Sequence, residues 1–529
     1  MKFLQTFAWL AVLSLSAFAQ TGELRFAIRH QPKTLDPALM DDESEETVRY
    51  LTGGVLVRLN RETQQLQPEI ATKWKVSKDG KTISFTLRDH LKFSDGTPFS
   101  ADDVAFTMRR LMDKDLHSPT ADAFRTKGGD VVIRVTSPTA VTMTFPSAIA
   151  GLDRLFDQVA IQSSRSPQKE LAVLGWFYVA EQKPGSYLLL SRNPNYYDHE
   201  HPRVKSIRLD VLQSRDAEVL KFLRGELQMI NSLDPEYFDR IAEEKPAAVK
   251  DAGVSLDSEQ MWFNQSAKAA IPDYKQAWFR STNFRNAVSL GIQRRDLARV
   301  VFHGYAQPAT GPVSPANRFW FNSKLQPLAY DPGRALKLLQ QDGFKLDGNT
   351  LHDRQGHSVE FSIITNSGNK YRERMATMIQ QDMAKLGITV RVVTLDFPSL
   401  IERISHTPDY EACLLGLVNT ELDPNSVMNV WLSSSVNHQW NPEQKTPATV
   451  WEAEIDKLMQ EQATSANMQQ RKRAFDRVQE IVYEQQPFIY LVNKHALSAV
   501  SSNVRNAHPI ALRPQTFWNI NDLALDGGQ

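Results

Sequence analysis

Residues 359–395 contain VEFSIIT, then RERMATMIQQDMAKLG, then ITVRVVTL. The outer runs are rich in the β-branched residues that strands favour, and between them Met375, Met378, Ile379, Met383 and Leu386 recur at helical spacing. Gly387 supplies the helix stop before the second strand. This is a βαβ unit, and it commits its part of the chain to an α/β fold. The methionine stripe has the spacing that packing demands, so it is read as a core-facing surface and not as a ligand surface.

The rest of the chain supplies elements that can extend such a fold. ELRFAIR at 23–29 alternates as a strand and leads through TLDPALMDDESEETVRYL to a helix starting near Asp42. TISFTLR and VVIRVTSPTAVTMTF read as short strands, the second run as two strands joined at Ser-Pro-Thr. Further strands follow at SYLLLSRNP and VKSIRLDVL, and a long helix over 283–302 is expected to break near Gly291 or Arg294. A chain of 529 residues exceeds what one core supports, so two or three domains joined by short crossings are expected.

Charge narrows the function. Lys and Arg total 61 against 61 Asp and Glu, with no basic block, so nucleic acid is not an expected partner. The first residues, MKFLQTFAWLAVLSLSAFAQ, carry Lys2, an apolar run and Ala17-Phe18-Ala19, a signal-peptide pattern that predicts cleavage after Ala19. Cys413, in ACLLGL, is the single cysteine. That excludes a disulfide within the chain and a lipid anchor at the cleavage site, so a freely diffusing periplasmic protein is expected.

LKFSDGTPFSADDVAF at 91–106 groups Asp95, Asp102 and Asp103. Gly96 and Pro98 make a turn, Ser100 suits a helix N-cap, and the two later aspartates fall where a helix dipole favours negative charge. These are structural roles rather than metal or catalytic ones. His199 and His201 in DHEHP likewise read as loop histidines and not as a metal pair. No metal or cofactor is expected.

The run from VLVRLNRETQQLQPEIATKW through FSADDVAFTMRRLMD closely resembles the signature region of the bacterial extracellular solute-binding proteins, family 5, the peptide-binding type serving ABC importers. The likeness continues at TLDPA, KPGSYLLLSRNPNYYD, LRGELQMI, FRNAVSLGIQRRDLARVVFHGYAQPATGPVSP and YDPGRALKLLQQDGF. It implies two α/β lobes around a ligand cleft plus an inserted strand-rich domain. The segments are then a signal peptide at 1–19, lobe I at 20–60, 183–268 and 495–529, the insert at 61–182, and lobe II at 269–494. It further implies a monomer that closes on a peptide or similar solute and delivers it to an inner-membrane ABC permease.

Relatives carry Gly-Trp-x-x-Asp ahead of x-x-x-Pro, the aspartate meeting the peptide's ammonium. The corresponding stretch here is GLVNTELDP, with Leu417 for the tryptophan and Thr420 for the aspartate. Glu421 is the nearest replacement, and Asp423 a further one if the loop rearranges. At VLGWF, where relatives usually carry Gly-Thr-Gly-Pro, Trp176 either fills the cleft or braces the domain junction. Phe397, Trp262, Asn264, Met40 and Asp41 complete the ligand-binding candidates implied by position. The lost aspartate leaves open a nonpeptide ligand, such as an oligosaccharide or metal chelate, or a sensor role. An enzyme is not expected, since G-x-S-x-G, H-E-x-x-H and phosphate-loop patterns are missing.

Overall fold

The computed structural model describes residues 22–125, 129–166, 171–417 and 422–526. The leader segment, Thr420 and Glu421 lie outside them.

The βαβ unit forms as its pattern requires. Glu360–Asn366 and Thr389–Leu395 run parallel, and helix Lys370–Ala384 crosses between them with Met375, Ile379 and Met383 buried. Ala412–Leu417 pairs on the other side of Glu360–Asn366 and in turn meets Val249–Phe263. At the far end of the same sheet Glu23–Ile28 runs parallel to Ser206–Val211, followed by Tyr187–Arg192 and Phe177–Lys183.

Two long antiparallel strands, Val249–Phe263 and Phe488–Val500, join these halves. Their pairing slips between Asp251 and Val254, between Val254 and Ser258, and between Glu259 and Gln260. Such bulges bend and twist a strand pair, so the sheet divides into two lobes with separate cores. The second-lobe cores gather Met261, Phe263 and Phe361 on one face and Trp262, Trp440 and Phe488 on the other. The first-lobe cores gather Phe26, Trp176 and Leu209, and Phe222 with Leu497.

A separate antiparallel sheet places Ala71–Val76, Thr82–Leu87, Ala140–Thr144 and Val132–Ser137 side by side. Helix Ala101–Met112 covers it, and Phe85, Met143, Phe145 and Phe156 share its core. Two segment limits differ from the expectation. Phe177–Lys183 pairs in the large sheet and not in this one, because Phe177 packs into the first-lobe core. The first lobe also does not end at 268: strand Val249–Phe263 crosses into the second, burying Phe263 there.

The stretch at 91–106 is a turn and a capped helix. Asp95 accepts from the Thr97 backbone N–H at 2.9 Å, and Gly96 takes φ +88°. Ser100 caps the helix while Asp103 accepts from the Ser100 N–H at 2.8 Å and from the Ser164 N–H at 2.8 Å. Asp103 is thereby fully engaged within the fold. The helix expected over 283–302 breaks at Ile292, giving Thr282–Gly291 and a short irregular continuation to Val301. Among the described residues no helix is long and apolar enough to cross a membrane.

Candidate functional site

The cleft edge of the second lobe is built by the end of strand Ala412–Leu417. Gly416 leaves room there for two side-chain ends: a Cβ would stand 2.5 Å from the Arg372 guanidinium and 2.7 Å from the Glu259 carboxylate, which would have to shift. Those two side chains form a nearly buried pair, Arg372 Nε to Glu259 Oε2 at 2.8 Å, with Arg372 Nη1 also donating to Asn366. Leu417 lines a crevice of about 40 Å³ with Leu256, Ser258, Trp431 and Tyr490. It therefore offers an apolar wall and no room for a solute.

Asp423 follows, and its carboxylate is already occupied. Arg471 donates to both oxygens, at 2.9 and 2.6 Å, and the same carboxylate caps the short helix Pro424–Val427 through the Asn425 N–H at 3.0 Å. Arg471 is buried and has its Nε on the Gln462 carbonyl. A carboxylate bound in this bidentate way is not available to an incoming ammonium. Asp423 is thus a structural acid.

Several positional candidates serve the fold instead. Trp262 is 0% exposed, donates its indole N–H to Tyr410 at 3.0 Å and packs edge-on to Phe488. Asn264 spends its amide on the Pro408 and Tyr410 carbonyls. Both were placed in the cleft by position, but the second-lobe end of the long strand is covered on both faces, so Trp262 and the Asn264 that follows it lie in the lobe interior. Met40 is buried in the first-lobe core and is a packing residue. Phe397 starts helix Phe397–Ser405 and is 53% exposed, outside the cavities described here. Trp431 is buried.

The first lobe and insert enclose a cavity of about 450 Å³. Asp41, Asp42, Glu43 and Glu46 form an acidic edge, contributed by the loop before helix Glu43–Thr52 and its first turn. Asp42 caps that helix through the Ser44 and Glu45 N–H groups, whereas the exposed Asp41 contributes only its backbone N–H, to Glu45 at 3.0 Å. Arg58, Arg61 and Arg513 supply the basic wall, with Tyr50 and Phe517 between. Arg61 pairs with Asp157 at 2.8 Å, and Arg513 reaches Asp257 on the crossing strand at 3.1 Å.

Trp176 supports this wall from beneath. The Arg58 guanidinium lies 4.1 Å from the centre of its indole and 5.1 Å from Tyr50, a cation stacked on aromatic faces. Gly175 allows the close approach, since a Cβ there would stand 2.3 Å from the Thr52 carbonyl oxygen. Burial works against the charge on Arg58, but neighbouring Glu69, Tyr50 and Asp157 outweigh it and raise its pKa. Burial raises the Tyr50 phenol as well, and its O–H donates to the Trp518 carbonyl at 2.7 Å.

The insert and second lobe touch across the cleft. Gln64 donates to the Ala316 carbonyl at 2.7 Å and Asn425 to the Ala150 carbonyl at 3.1 Å. Beside the cavity, Leu256, Leu422, Ile510 and Leu512 make an apolar seam. Of the candidates, Asp41 lines the cavity directly and Trp176 acts through Arg58; Leu417 stands at a separate crevice. Sequence reasoning missed Arg58, Arg61 and Arg513. The arginine pair in VRLNR was visible, but its convergence with the C-terminal segment required the fold.

Comparison with known proteins agrees with this architecture. The probable D,D-dipeptide-binding periplasmic protein DdpA of Escherichia coli K12 is 23% identical, over 93% of this chain and 92% of its own. The ABC transporter substrate-binding protein CtaP of Listeria monocytogenes superposes with a TM-score of 0.81 at 20% identity, covering 96% of this chain and 99% of its own. NikA of Brucella suis, solved in complex with Fe(III)-EDTA, gives 0.78 at 18% identity, covering 94% and 99%. The family model for bacterial extracellular solute-binding proteins, family 5 Middle, matches residues 65–439, most of the chain, and the chain belongs to that family.

Proposed function

We propose that the protein captures a peptide or peptide-like solute in the 450 Å³ cavity and delivers it, as a periplasmic monomer released from its leader near Ala19, to the permease of an ABC importer. The observation that carries this reading is the cavity's polarity. An acidic edge at Asp41 and Glu43 faces a solute space shared with Arg58, Arg61 and Arg513, which suits a zwitterion. The volume is in the range of small-molecule sites. Asp41 is the acid assigned to the solute's ammonium, because Asp42 is committed to capping and Asp423 to Arg471.

Closure rests on the two bulged crossing strands. A solute bound to the first lobe gains further contacts when the second lobe swings onto it, which shifts the population toward the closed form. Thr420 and Glu421 would then be second-lobe contacts, at the segment between Leu417 and Leu422. Binding without turnover distinguishes this reading from a periplasmic hydrolase.

The test is a native mass spectrum of the gently purified mature protein, repeated after denaturation. A ladder of released peptide masses supports the proposal. A single nonpeptide mass replaces it with a receptor for another solute, and recovery of cleaved products from an added peptide replaces it with an enzyme.

A further inference from the structure

Arg58 is a buried cation with donors to spare. Its Nη2 donates to the Gly53 carbonyl at 3.2 Å, and its Nε is ion-paired with the buried Glu69 at 3.6 Å, a distance too long for a hydrogen bond, so Glu69 balances its charge without filling its donors. Among the described residues no hydrogen bond reaches Nε or Nη1. Glu69 is itself engaged, its other oxygen accepting from the Tyr196 hydroxyl at 2.8 Å. The indole N–H of Trp176, 2% exposed, also has no acceptor among the described residues. Nε and the Trp176 N–H are too deeply buried for a solute to reach, so among the described residues the open donor is Nη1, on the guanidinium that lines the cavity, and a buried donor of this kind is costly until an acceptor arrives.

Trp176 and Tyr50 flank the guanidinium and the Gly53 carbonyl holds Nη2, so a buried side chain already placed has little freedom left to lose on binding. Arg58 lines the 450 Å³ cavity. We infer that Arg58, laid on Trp176, is an anion subsite that receives a carboxylate of the bound solute and makes a free carboxylate a condition of tight binding. The charges facing it are Glu69, Asp157 and Arg61, of which Asp157 is neutralised by Arg61 at 2.8 Å. The inference rests on the peptide reading, with the ammonium at Asp41 and the carboxylate at Arg58.

The test uses the mature protein stripped of ligand by unfolding and refolding. It is offered a casein hydrolysate either untreated or with its carboxyl groups converted to methyl esters. Native mass spectrometry reads the fraction of protein carrying a peptide. The expected result is peptide adducts from the untreated hydrolysate and at least about a tenfold weaker apparent affinity for the esters. Arg58→Met should remove that discrimination and Arg58→Lys retain part of it, with thermal melts verifying that each variant is folded. Equal binding of acids and esters by the wild-type protein would overturn the carboxylate subsite while leaving the peptide reading in place. Absence of peptide adducts from either hydrolysate would overturn both.

Discussion

The two edges of the cleft carry acids in opposite conditions. On the second lobe Asp423 is held by both ends of the Arg471 guanidinium and caps a helix; on the first lobe Asp41 is exposed at the cavity rim and offers only its backbone N–H to the fold. Both were candidates for meeting the ligand by resemblance, Asp423 only with a rearranged loop. Their difference shows that an acid's value for binding is set by what already neutralises it. Of these two acids Asp41 is the one whose carboxylate stays open to a solute; Glu421 lies outside the described residues.

The largest expected effect tests the structural side of that comparison. Arg471→Met leaves Asp423 without its partner in a mostly buried setting, and urea unfolding should show a loss of about 3–5 kcal/mol. A loss below about 1 kcal/mol would mean that Asp423 is not locked and can serve the ligand.

Glu452 is a second committed acid. Burial pushes its pKa up, but hydrogen bonds from His438, Gln444, Thr449 and Trp440 outweigh this and hold it at about 2. Its folded pKa is depressed, so its contribution to stability is complete above the unfolded value near 4.5 and is lost as pH falls toward 2. Glu452→Gln should cost about 2–3 kcal/mol at neutral pH and flatten the stability profile across that acidic window. An unchanged profile would assign the acid lability to other carboxylates.

Asp41→Asn tests the other side. Unfolding free energy should stay within about 0.5 kcal/mol of wild type, since no side-chain contact is lost, while solute retention drops about tenfold. The smallest effect belongs to Phe397→Ala: at 53% exposed and outside the cavity, its loss should change stability by under about 0.5 kcal/mol and retention less than about threefold. A larger drop in retention would bring the tip of helix Phe397–Ser405 into the closed site.

Much of the fold could be read from the chain because it is encoded locally. The helical spacing from Met375 to Leu386, the strand alternation of ELRFAIR and the Ser100 cap each declare themselves within a few residues. The bulged strand pair does not, since a bulge depends on register against a partner more than two hundred residues away. The site was less legible for the same reason. Asp41 was a candidate by position, but the availability of Asp423 depended on Arg471, and two buried tryptophans part only in the fold, Trp262 bonding Tyr410 in one core and Trp176 carrying Arg58 over another. Arg58 and Arg513 meet at one cavity only after the C-terminal segment returns to the first lobe.

The proposed role of Asp41 is to meet the solute's ammonium on the first lobe. Native mass spectra of wild type and Asp41→Asn, purified side by side under identical gentle conditions, test it directly. A ladder of bound peptides is expected on the wild type, and a largely empty, normally folded protein for the variant. An equally loaded Asp41→Asn protein would contradict that role.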